Sequence, residues 1–459
     1  MSEKKRKLFG TDGVRGIANR YPMDSRIATS LGQAVAAVYR DAPGLDRIVI
    51  GKDTRLSGYV IEAALMSGIC SMGVDAMLVG PLPTPGIAFI AHSMRAKAGV
   101  MVSASHNPVE YNGVKFFDNK GFKLPDALEL EIEELIFSGK LEEMKATPED
   151  MGRAFRIDDA GGRYIQYLKG TFPQQLTLEG VRIVLDCANG AGYKVAPTIF
   201  RELGAEVITI GTSPNGLNIN VDCGALHPDR MARLVRENAA HVGVALDGDA
   251  DRVIMCDENG DIVDGDAILA ICAMHLHSKG SLAKDTVVGT TMCNMGLEVA
   301  LAAHGIKLLR TDVGDRHVME VMRREGLNLG GETSGHIIFL HHTTSGDGTL
   351  AALRILSIMM QQGRPLSEVR SVFTPFPQVT VNVRVREKRP MERLERVSAE
   401  VEKARRELGD KGRLLVRYSG TENIARVMVE GADESRIKEL AAAIAAALEA
   451  EIGEKGEKC

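Results

Sequence analysis

The sequence predicts an α/β fold for most of the chain and a smaller α+β domain at its C-terminal end. Short apolar runs of strand length alternate with helical patterns up to residue 371, which is the pattern of α/β units. Polar stretches follow several of these runs, at the carboxyl ends of strands where such sheets bind ligands. After residue 372 the pattern changes to strands separated by a charged helix and an alanine-rich helix. These observations predict three α/β units and one C-terminal α+β domain.

The length of the chain and its polar or proline-containing stretches predict four domains. For a chain of 459 residues, a typical length of about 150 residues per domain suggests roughly three domains, and four are possible if they are smaller. The polar stretch Glu142–Arg153 separates the first unit from the second, and Pro375 and Pro377 mark a hinge before the last domain. We therefore expect domains at 1–153, 154–257, 258–371 and 372–459.

Composition and charge predict a soluble cytoplasmic protein that does not depend on nucleic acid. Hydrophobic residues make up 44% of the chain and charged residues 25%, as in ordinary globular proteins. The formal net charge of −5 argues against a nucleic-acid partner, which needs a basic face. The seven cysteines form no C-x-x-C pair, which favours reduced thiols in a cytosol. The N-terminus lacks an apolar leader, and the apolar stretch Leu440–Leu448 is half the length of a membrane span.

The first unit places a serine at the end of a predicted strand. The apolar run Ala98–Val102 is followed by Ser103-Ala104-Ser105-His106-Asn107-Pro108, in which the asparagine–proline pair predicts a turn. The turn can present Ser105 to a pocket, with His106 beside it and Lys115 shortly after. A serine hydroxyl is a weak nucleophile until a neighbouring group or a metal activates it. Ser105 is therefore the candidate carrier of a phosphoryl group.

Two further stretches of the first unit carry charged side chains in predicted loops. Leu8–Gly16 contains three glycines, and its Arg15 can clamp a phosphate or a carboxylate. The alternative is a turn with an exposed arginine. Lys52–Arg55 follows the predicted strand Arg47–Gly51, which places it on the functional edge of the sheet together with Ser105.

The second unit contains three aspartates at alternate positions. Asp247, Asp249 and Asp251 follow the predicted strand His241–Leu246. In a turn, their carboxylates can converge on one hard cation such as Mg²⁺. Without a cation they would repel one another and their pKa values would rise. The cluster is therefore a candidate metal site.

Two other interpretations of the aspartate cluster are weaker. The aspartates and Glu258 occupy positions 1, 3, 5 and 12 of an EF-hand loop, but Arg252 stands where that loop needs glycine. The flanking sequences are also β-like, whereas an EF-hand loop joins two helices. The second alternative is a solvated acidic turn, because aspartates favour turns.

The third unit and the last domain also carry polar loops. Asp312–Arg316 lies at a predicted strand end, and the glycine-rich loop Leu329–His336 leads into another strand. In the last domain, Arg417–Asn423 is followed by Arg426. Arginine, hydroxyl groups and a glycine in one turn can form an anion cradle. An ordinary hairpin turn is the alternative.

Together, these motifs resemble those of the α-D-phosphohexomutase superfamily. Four signatures match in order and spacing over nearly the whole chain: Phe9–Gly16, Ser103–Pro108, Asp247–Arg252 and Arg417–Thr421. The likeness is strongest to bacterial members that act on glucosamine phosphate, at Ser103–Pro108, Val313–Arg316, Gly331–His336 and Ser419–Glu422. The chain departs from the superfamily at Asn423, where proline is common, and at His317, where tyrosine is usual.

The resemblance implies a fold and a set of site residues. The fold has three α/β domains with mixed sheets and a TBP-like C-terminal α+β domain, all around one central cleft. Ser105 would be the phosphoserine, and Mg²⁺ would be held by its phosphate with Asp247, Asp249 and Asp251. The reacting phosphate would be surrounded by Arg15, His106 and Lys115. The sugar would contact Arg252, Asp315, Glu332, Ser334 and His336, and the other phosphate would bind Arg417, Ser419, Gly420, Thr421 and Arg426.

The implied activity is that of a phosphosugar isomerase. Phospho-Ser105 gives its phosphoryl group to glucosamine 6-phosphate, and the resulting 1,6-bisphosphate returns its 6-phosphate to Ser105. Lys115 and His336 are candidates for moving the hydroxyl protons. The glucosamine 1-phosphate would feed UDP-N-acetylglucosamine and cell-envelope synthesis. One Mg²⁺ per site, a sugar 1,6-bisphosphate as activator and a homodimer are implied by the same resemblance.

Three alternatives to this activity stay open at the level of sequence. Within the same class, the chain could be a phosphomannomutase or phosphoglucomutase, because the Glu332–His336 loop would contact hydroxyl groups that these sugars share. A metal-dependent sugar phosphatase would let water take the phosphoryl group from Ser105. A catalytically silent sugar-phosphate sensor would be favoured by loss of Ser105 or of an aspartate, and neither is lost.

Overall fold

The computed structural model describes residues 6–40, 45–409, 412–419 and 423–454. They form two compact units, one of residues 6–292 and 304–372, and one of residues 293–303 and those from 373 onward. The first unit contains three sheets and the second contains one. Among the helices of the described ranges, none combines the length and apolar character that a bilayer crossing requires.

The first sheet is mixed and has six strands: β1 (Val14–Ile17), β2 (Leu45–Lys52), β3 (Asp75–Pro81), β4 (Ala96–Val102), β5 (Tyr111–Asp118) and β6 (Ala154–Arg156). Its helices are α1 (Ser25–Val38), α2 (Gly58–Ser71), α3 (Thr84–Ser93) and α4 (Asp126–Ser138). The strand order is β1-β5-β4-β2-β3-β6. The central strands β4, β2 and β3 run parallel, whereas β5 is antiparallel to β4 and to β1.

Two features of this sheet differ from the sequence-based expectation. The predicted loop Leu8–Gly16 contains the start of β1, so Arg15 lies on a strand that pairs with β5. The sheet also continues past the expected boundary at residue 153, because β6 pairs with β3. These edge strands are short, and they lack the alternating or continuous apolar pattern by which a strand is recognised.

The second sheet comprises β7 (Arg182–Asp186), β8 (Glu206–Ile210), β9 (Val242–Leu246), β10 (Val253–Cys256) and β11 (Ile262–Val263). Its order is β11-β10-β9-β7-β8. The helices of this region are α5 (Ala160–Thr171), α6 (Val195–Glu202) and α7 (Asp229–Glu237). The sequence did not predict α5, and β11 lies past the expected boundary at residue 257. The four domain ranges therefore stay a prediction.

The third sheet comprises β12 (Thr286–Thr290), β13 (Lys307–Thr311), β14 (Leu329–Gly331) and β15 (Ile337–Phe339) in the order β13-β12-β14-β15. The first three residues of the predicted loop Leu329–His336 therefore form a strand, because they pair with β12 and β15. The helices in this part of the sequence are α8 (Gly265–Ser278), α9 (Met295–Ala302), α10 (Asp315–Glu325), α11 (Gly348–Gln362) and α12 (Leu366–Val369). Of these, α9 belongs to the second compact unit. Asp264 and Asp347 accept backbone hydrogen bonds at the starts of α8 and α11, as good N-cap residues do.

The second compact unit contains β16 (Gln378–Arg384), α13 (Glu395–Leu408), β17 (Gly412–Tyr418), β18 (Ile424–Gly431) and α14 (Glu434–Ile452). The strands form an antiparallel sheet in the order β16-β18-β17. Its core joins sheet and helix residues, among them Val427, Val429, Leu440 and Ile444. The α+β character predicted for the last domain is confirmed.

Candidate active site

Ser105 lies just beyond the carboxyl end of β4, a strand in which every residue is buried. Its Oγ donates a hydrogen bond of 2.7 Å to Asp247 Oδ2. Its backbone is left-handed, with φ of 53°, a conformation that residues other than glycine seldom adopt. This turn of the backbone aims the buried hydroxyl at the aspartate loop of the second sheet.

The three aspartates lie in the turn between the antiparallel strands β9 and β10. Asp247, Asp249 and Asp251 are all buried, and each offers a carboxylate oxygen within 4.8 Å of the others. Their burial rules out the solvated acidic turn. The strands on both sides rule out an EF-hand, whose loop joins two helices.

The donor set of this turn fits a divalent cation. The Oδ1 atoms of Asp249 and Asp251 are buried and accept no hydrogen bond from the described residues. Burial, and then the charges of Asp251 and Asp249, raise the pKa of Asp247. Buried carboxylate oxygens with unused lone pairs are the ligands that hard cations prefer. The aspartate turn can therefore hold a metal ion.

Lys115 is a buried cation among these carboxylates. Its Nζ lies 2.8 Å from Asp249 Oδ2, 3.2 Å from Asp12 Oδ2 and 3.5 Å from Asp251 Oδ2. Burial lowers the pKa of Lys115, but the three carboxylates outweigh burial and hold its pKa above the ordinary value. Lys115 therefore stays protonated and can neutralise negative charge beside the aspartate turn.

Asp12 joins three cations at the edge of this network. Its carboxylate forms ion pairs with Arg15, Lys115 and Lys123. Burial raises the pKa of Asp12, but the cations outweigh burial and hold its pKa well below the usual range. Arg15 Nη1 also donates to the carbonyl oxygen of Ala104 at 3.3 Å. The structure thus places Arg15 beside the Ser105 loop, as a phosphate clamp requires.

His106 faces Ser105 and Arg252 through one ring nitrogen. Its Nδ1 lies 3.3 Å from Ser105 Oγ and 3.1 Å from Arg252 Nη1. Burial, and then the charges of Arg252 and Arg15, lower the pKa of His106 to about 4. Because a guanidinium can only donate, Nδ1 is the unprotonated acceptor of this bond. His106 is therefore neutral near pH 7, and its Nδ1 has no proton to give to Ser105.

His336 is buried between two carboxylates, one from the aspartate turn and one from the first residue of α10. Its Nδ1 lies 3.6 Å from Asp251 Oδ2, and its Nε2 lies 3.4 Å from Asp315 Oδ2. Nε2 also accepts the backbone N–H of Gly346 at 2.9 Å, so the ring proton is on Nδ1 and faces Asp251. Burial lowers the pKa of His336, but Asp251 and Asp315 outweigh burial and raise its pKa above the ordinary value.

A cavity of about 380 Å³ opens beside these groups, within the size range of small-molecule sites. Its walls include seven of the predicted residues: Arg15, His106, Asp251, Arg252, Asp315, Glu332 and His336. Glu332 is buried and accepts the backbone N–H of Gly314 at 3.0 Å. Ser334 is exposed in the adjoining turn, so the structure does not bring it into the cavity wall with the others.

The residues predicted to bind the second phosphate lie in the second compact unit. Arg417 and Arg426 are directly opposite each other on β17 and β18. Directly opposed side chains project from the same face of a sheet, with Cβ atoms roughly 5 Å apart. Ser419 is buried, and its carbonyl oxygen accepts a bond of 2.7 Å from Lys388 Nζ. The cationic side chains of Arg417, Arg426 and Lys388 therefore lie at this end of the hairpin.

Part of the hairpin turn falls outside the described residues, and with it two predicted residues, Gly420 and Thr421. Asn423, at the position where the superfamily commonly has proline, is exposed. Its carbonyl oxygen accepts the backbone N–H of Val385 at 2.9 Å. Asn423 thus ties the start of β18 to the end of β16.

Sequence reasoning missed several residues that take part in the ion pairs and hydrogen bonds around Ser105. Asp12 lies in a motif that was recognised, between Thr11 and Gly13, but was given no role. Lys123 carries no local signal, although its Nζ lies 2.5 Å from Asp315 Oδ2. Thr84, the first residue of α3, donates its hydroxyl to Asp249 Oδ2 at 2.5 Å. Its partner is 165 residues away in sequence.

Sequence models of four phosphoglucomutase/phosphomannomutase domains match successive parts of the chain. Alpha/beta/alpha domains I, II and III match residues 6–143, 162–260 and 264–376. The C-terminal domain of the same family matches residues 381–447. The four matches follow one another in the family's own order and cover most of the chain.

Relatives and solved structures match over nearly the full length. Phosphoglucosamine mutase of Syntrophotalea carbinolica is 57% identical over 450 residues, which span 98% of each chain. A phosphoglucomutase/phosphomannomutase family protein from Burkholderia thailandensis has the same fold, with a TM-score of 0.80 at 23% identity over 96% of this chain and 97% of that one. N-acetylphosphoglucosamine mutase of Aspergillus fumigatus, solved with GlcNAc-6P and magnesium, has a TM-score of 0.65 at 19% identity over 97% and 96% of the two chains.

Proposed function

The chain belongs to the phosphoglucomutase/phosphomannomutase family and is a phosphosugar mutase, and we propose that it interconverts glucosamine 6-phosphate and glucosamine 1-phosphate through Ser105. The observation that carries this proposal is the buried hydroxyl of Ser105, 2.7 Å from a carboxylate of a turn that can hold a metal. The choice of glucosamine is supported by relatives of more than half identity that bear the name phosphoglucosamine mutase.

The phosphate of phospho-Ser105, with Asp247, Asp249 and Asp251, would hold Mg²⁺. When bound, the cation neutralises the charge of the transferring phosphoryl group. Two observations support this assignment. The orphaned Oδ1 atoms of Asp249 and Asp251 offer oxygen ligands, and the fungal relative was solved with magnesium.

In the first half of the reaction, O1 of glucosamine 6-phosphate forms a bond to the phosphorus of phospho-Ser105. The bond from phosphorus to Oγ breaks, and Oγ keeps the electron pair and takes up a proton. The proton of the O1 hydroxyl leaves the sugar. The products are glucosamine 1,6-bisphosphate and free Ser105. Protein groups contribute mainly position and compensating charge to such a transfer.

In the second half, the bisphosphate turns over and presents its 6-phosphate to the same serine. Ser105 Oγ loses its proton and bonds to this phosphorus, while the bond from phosphorus to O6 breaks and O6 takes up a proton. Glucosamine 1-phosphate leaves, and phospho-Ser105 is restored. A sugar 1,6-bisphosphate from solution would phosphorylate a chain that has lost its phosphate, which accounts for the predicted activator.

The residues around the reacting phosphate have distinct proposed roles. Arg15 and Lys115 neutralise the phosphate, and the raised pKa of Lys115 favours this role over proton transfer in the resting site. His106 accepts hydrogen bonds beside Ser105. His336, which is buried and carries its proton on Nδ1, is the candidate proton carrier.

The sugar and the second phosphate would bind to separate groups. Hydroxyl and amino groups of the sugar would contact Arg252, Asp315, Glu332, Ser334 and His336. The non-reacting phosphate would bind Arg417, Ser419, Gly420, Thr421 and Arg426. Arg417 and Arg426 lie directly opposite each other on paired strands, and guanidinium groups are well suited to bind a phosphate. A homodimer, a cytoplasmic location and a role in UDP-N-acetylglucosamine supply stay predictions from the resemblance.

The proposal is tested by turnover of the Ser105-phosphorylated protein with Mg²⁺ and a trace of sugar 1,6-bisphosphate. We expect the highest kcat/KM for glucosamine 6-phosphate, compared with glucose 6-phosphate and mannose 6-phosphate. Ser105→Ala should abolish the activity, while Ser138→Ala, at an exposed serine that ends α4, should leave it unchanged.

The outcomes separate the alternatives. A preference for the glucose or mannose phosphate would leave the mechanism intact and contradict the glucosamine assignment. Release of inorganic phosphate without any 1-phosphate sugar would indicate a phosphatase. Binding of all three sugars without turnover would indicate a sugar-phosphate sensor.

A further inference from the structure

Arg55 is a fully buried arginine in the loop between β2 and α2, and all five of its side-chain N–H groups have protein partners. Its Nε donates to Asp53 Oδ2 at 2.8 Å. Nη1 and Nη2 donate to four carbonyl oxygens, three in the loop that carries Ser105 and one at the start of β5. These carbonyl groups belong to Pro108 (2.5 Å), Tyr111 (3.1 Å), Ser105 (2.9 Å) and Asn107 (2.8 Å). No N–H of this guanidinium is left over for a substrate phosphate.

Asp53 holds both the guanidinium of Arg55 and the start of the loop that carries Ser105. Its Oδ2 accepts the hydroxyl of Ser103 at 2.7 Å, and the Ser103 Oγ accepts the backbone N–H of Ser105 at 2.9 Å. Side-chain exposure of Asp53 and Arg55 is 0%. The Ser105 peptide is therefore held from its N–H side through Ser103 and from its carbonyl side through Arg55.

The backbone at Ser105 needs such support. Its left-handed φ of 53° is unfavourable for a residue with a Cβ atom. Strained conformations of this kind persist only where the surrounding contacts hold them. Asn220 supplies one more bond, from Nδ2 to the Ser105 carbonyl at 2.9 Å. The direction of Ser105 Oγ toward Asp247 depends on this backbone conformation.

We propose that Arg55 is a positioning residue for phosphoryl transfer, which holds the backbone of the Ser105 loop so that Oγ is aligned with the aspartate turn, with Asp53 and Ser103 completing the support. The proposal rests on the role of Ser105 as the phosphoryl carrier. It distinguishes Arg55 from Arg15, whose guanidinium lines the cavity. An arginine that contacts no substrate should affect the rate of transfer and leave substrate affinity unchanged.

The test compares Arg55→Lys, Ser103→Ala and a matched control, Arg370→Gln. Lysine keeps the charge but offers three donors without the planar fork, so it cannot serve four carbonyls and Asp53 together. Arg370 Nε lies 3.1 Å from the buried carboxylate of Asp257, at the end of the β9–β10 pair opposite the aspartate turn. Its loss also breaks an arginine–aspartate contact, but leaves the Ser105 loop intact.

Each protein is phosphorylated with glucose 1,6-bisphosphate, and occupancy of Ser105 is checked by mass spectrometry. A single turnover with glucosamine 6-phosphate and Mg²⁺ is then followed by rapid quench, and KM and Tm are measured in parallel. We expect the transfer rate constant to fall roughly 100-fold in Arg55→Lys, since misplacement of a reacting atom by about 1 Å has that cost. Ser103→Ala should lose roughly 10-fold. KM should change less than about threefold, and Arg370→Gln should lower Tm without slowing transfer.

Two results would overturn the proposal. Transfer at the wild-type rate in Arg55→Lys and Ser103→Ala, with only Tm lowered, would make the network purely structural. A raised KM at unchanged kcat would make Arg55 a substrate ligand. If Arg55→Lys does not fold, Ser103→Ala decides by the same criteria. A wild-type chain that never acquires phosphate on Ser105 would refute the proposed function itself, a result distinct from both.

Discussion

The region around Ser105 and the hairpin that carries Arg417 and Arg426 handle charge in opposite ways. Around Ser105, carboxylates and cations are buried and in contact, as Lys115 is with Asp249 at 2.8 Å. At the hairpin, two arginines face each other across paired strands, and Arg417 is exposed. Buried and balanced charge is preorganised for chemistry, whereas guanidinium groups at a strand end are suited to bind the phosphate of a ligand. The first region should therefore set kcat, and the second should set KM.

The largest effect expected from this comparison is at the aspartate turn. Asp249→Asn removes one carboxylate oxygen and the negative charge of a proposed metal ligand, and it leaves the buried Lys115 with one fewer counter-charge. We expect kcat to fall by about 100-fold or more, because even outer-shell changes at metal sites cost 10–100-fold. Steady-state kinetics across a Mg²⁺ titration measures this loss.

The control for this change is Asp229→Asn, at an exposed aspartate of α7, which should match the wild type. Removal of divalent ions from the wild-type protein with a chelator should mimic the substitution, and Mg²⁺ should restore activity. A wild-type kcat in Asp249→Asn, or full activity in chelator, would contradict the metal assignment.

The hairpin should respond through affinity. Arg417→Gln removes one proposed charged partner of the non-reacting phosphate, and a hydrogen bond to a charged group contributes about 1.5–3 kcal/mol. We therefore expect KM for glucosamine 6-phosphate to rise roughly 10- to 100-fold, with kcat changed less than about threefold, as for lost uniform binding. Arg405→Gln, at an exposed position of α13, is the control. A fall in kcat at constant KM in Arg417→Gln would contradict the claim that the hairpin sets KM and the Ser105 region sets kcat.

The sequence predicted the parts of the site that are local in the chain. Ser105 and the three aspartates were found because each motif directly follows an apolar strand, and a strand end needs only adjacent residues to be recognised. The contacts of Asp249 were not predicted, although Lys115 itself was a candidate. Thr84 and Lys115 lie 165 and 134 residues from Asp249, so no spacing or periodicity connects them. The role of Arg55 was missed for the same reason, since its carbonyl partners begin 50 residues away.

The fold was predicted to a similar extent. Strands with continuous apolar runs, such as β4 and β9, were placed within about two residues, in keeping with the uncertainty of such boundaries. The edge strands β1, β6 and β11 were missed, because their pairing partners, and not their own sequences, make them strands.

Asp347 gives a separate test of buried charge. A change at this residue should have the smallest effect on activity and should act on stability. This buried carboxylate accepts the hydroxyl of Tyr164 at 2.7 Å and the N–H of Leu350 at 2.9 Å, and burial raises its pKa to about 6. A pKa above the unfolded value of about 3.9 means that its contribution to stability is present below pH 4 and is lost as the pH rises through 6.

We therefore expect the wild type to lose about 2–3 kcal/mol of unfolding free energy, relative to Asp347→Asn, between pH 4 and pH 7. Urea denaturation of both proteins across this range measures the difference, and asparagine preserves the N-cap. A difference that does not change with pH would show that Asp347 has an ordinary pKa in the folded protein.

The most direct test of the central claim follows one phosphoryl group from Ser105. The protein is labelled with ³²P on Ser105, mixed with unlabelled glucosamine 6-phosphate and Mg²⁺, and quenched within a single turnover. The account predicts that the label leaves Ser105 and is found at the 1-position of glucosamine 1,6-bisphosphate. Label that appears as inorganic phosphate, or that stays on the protein while glucosamine 1-phosphate forms, would contradict it.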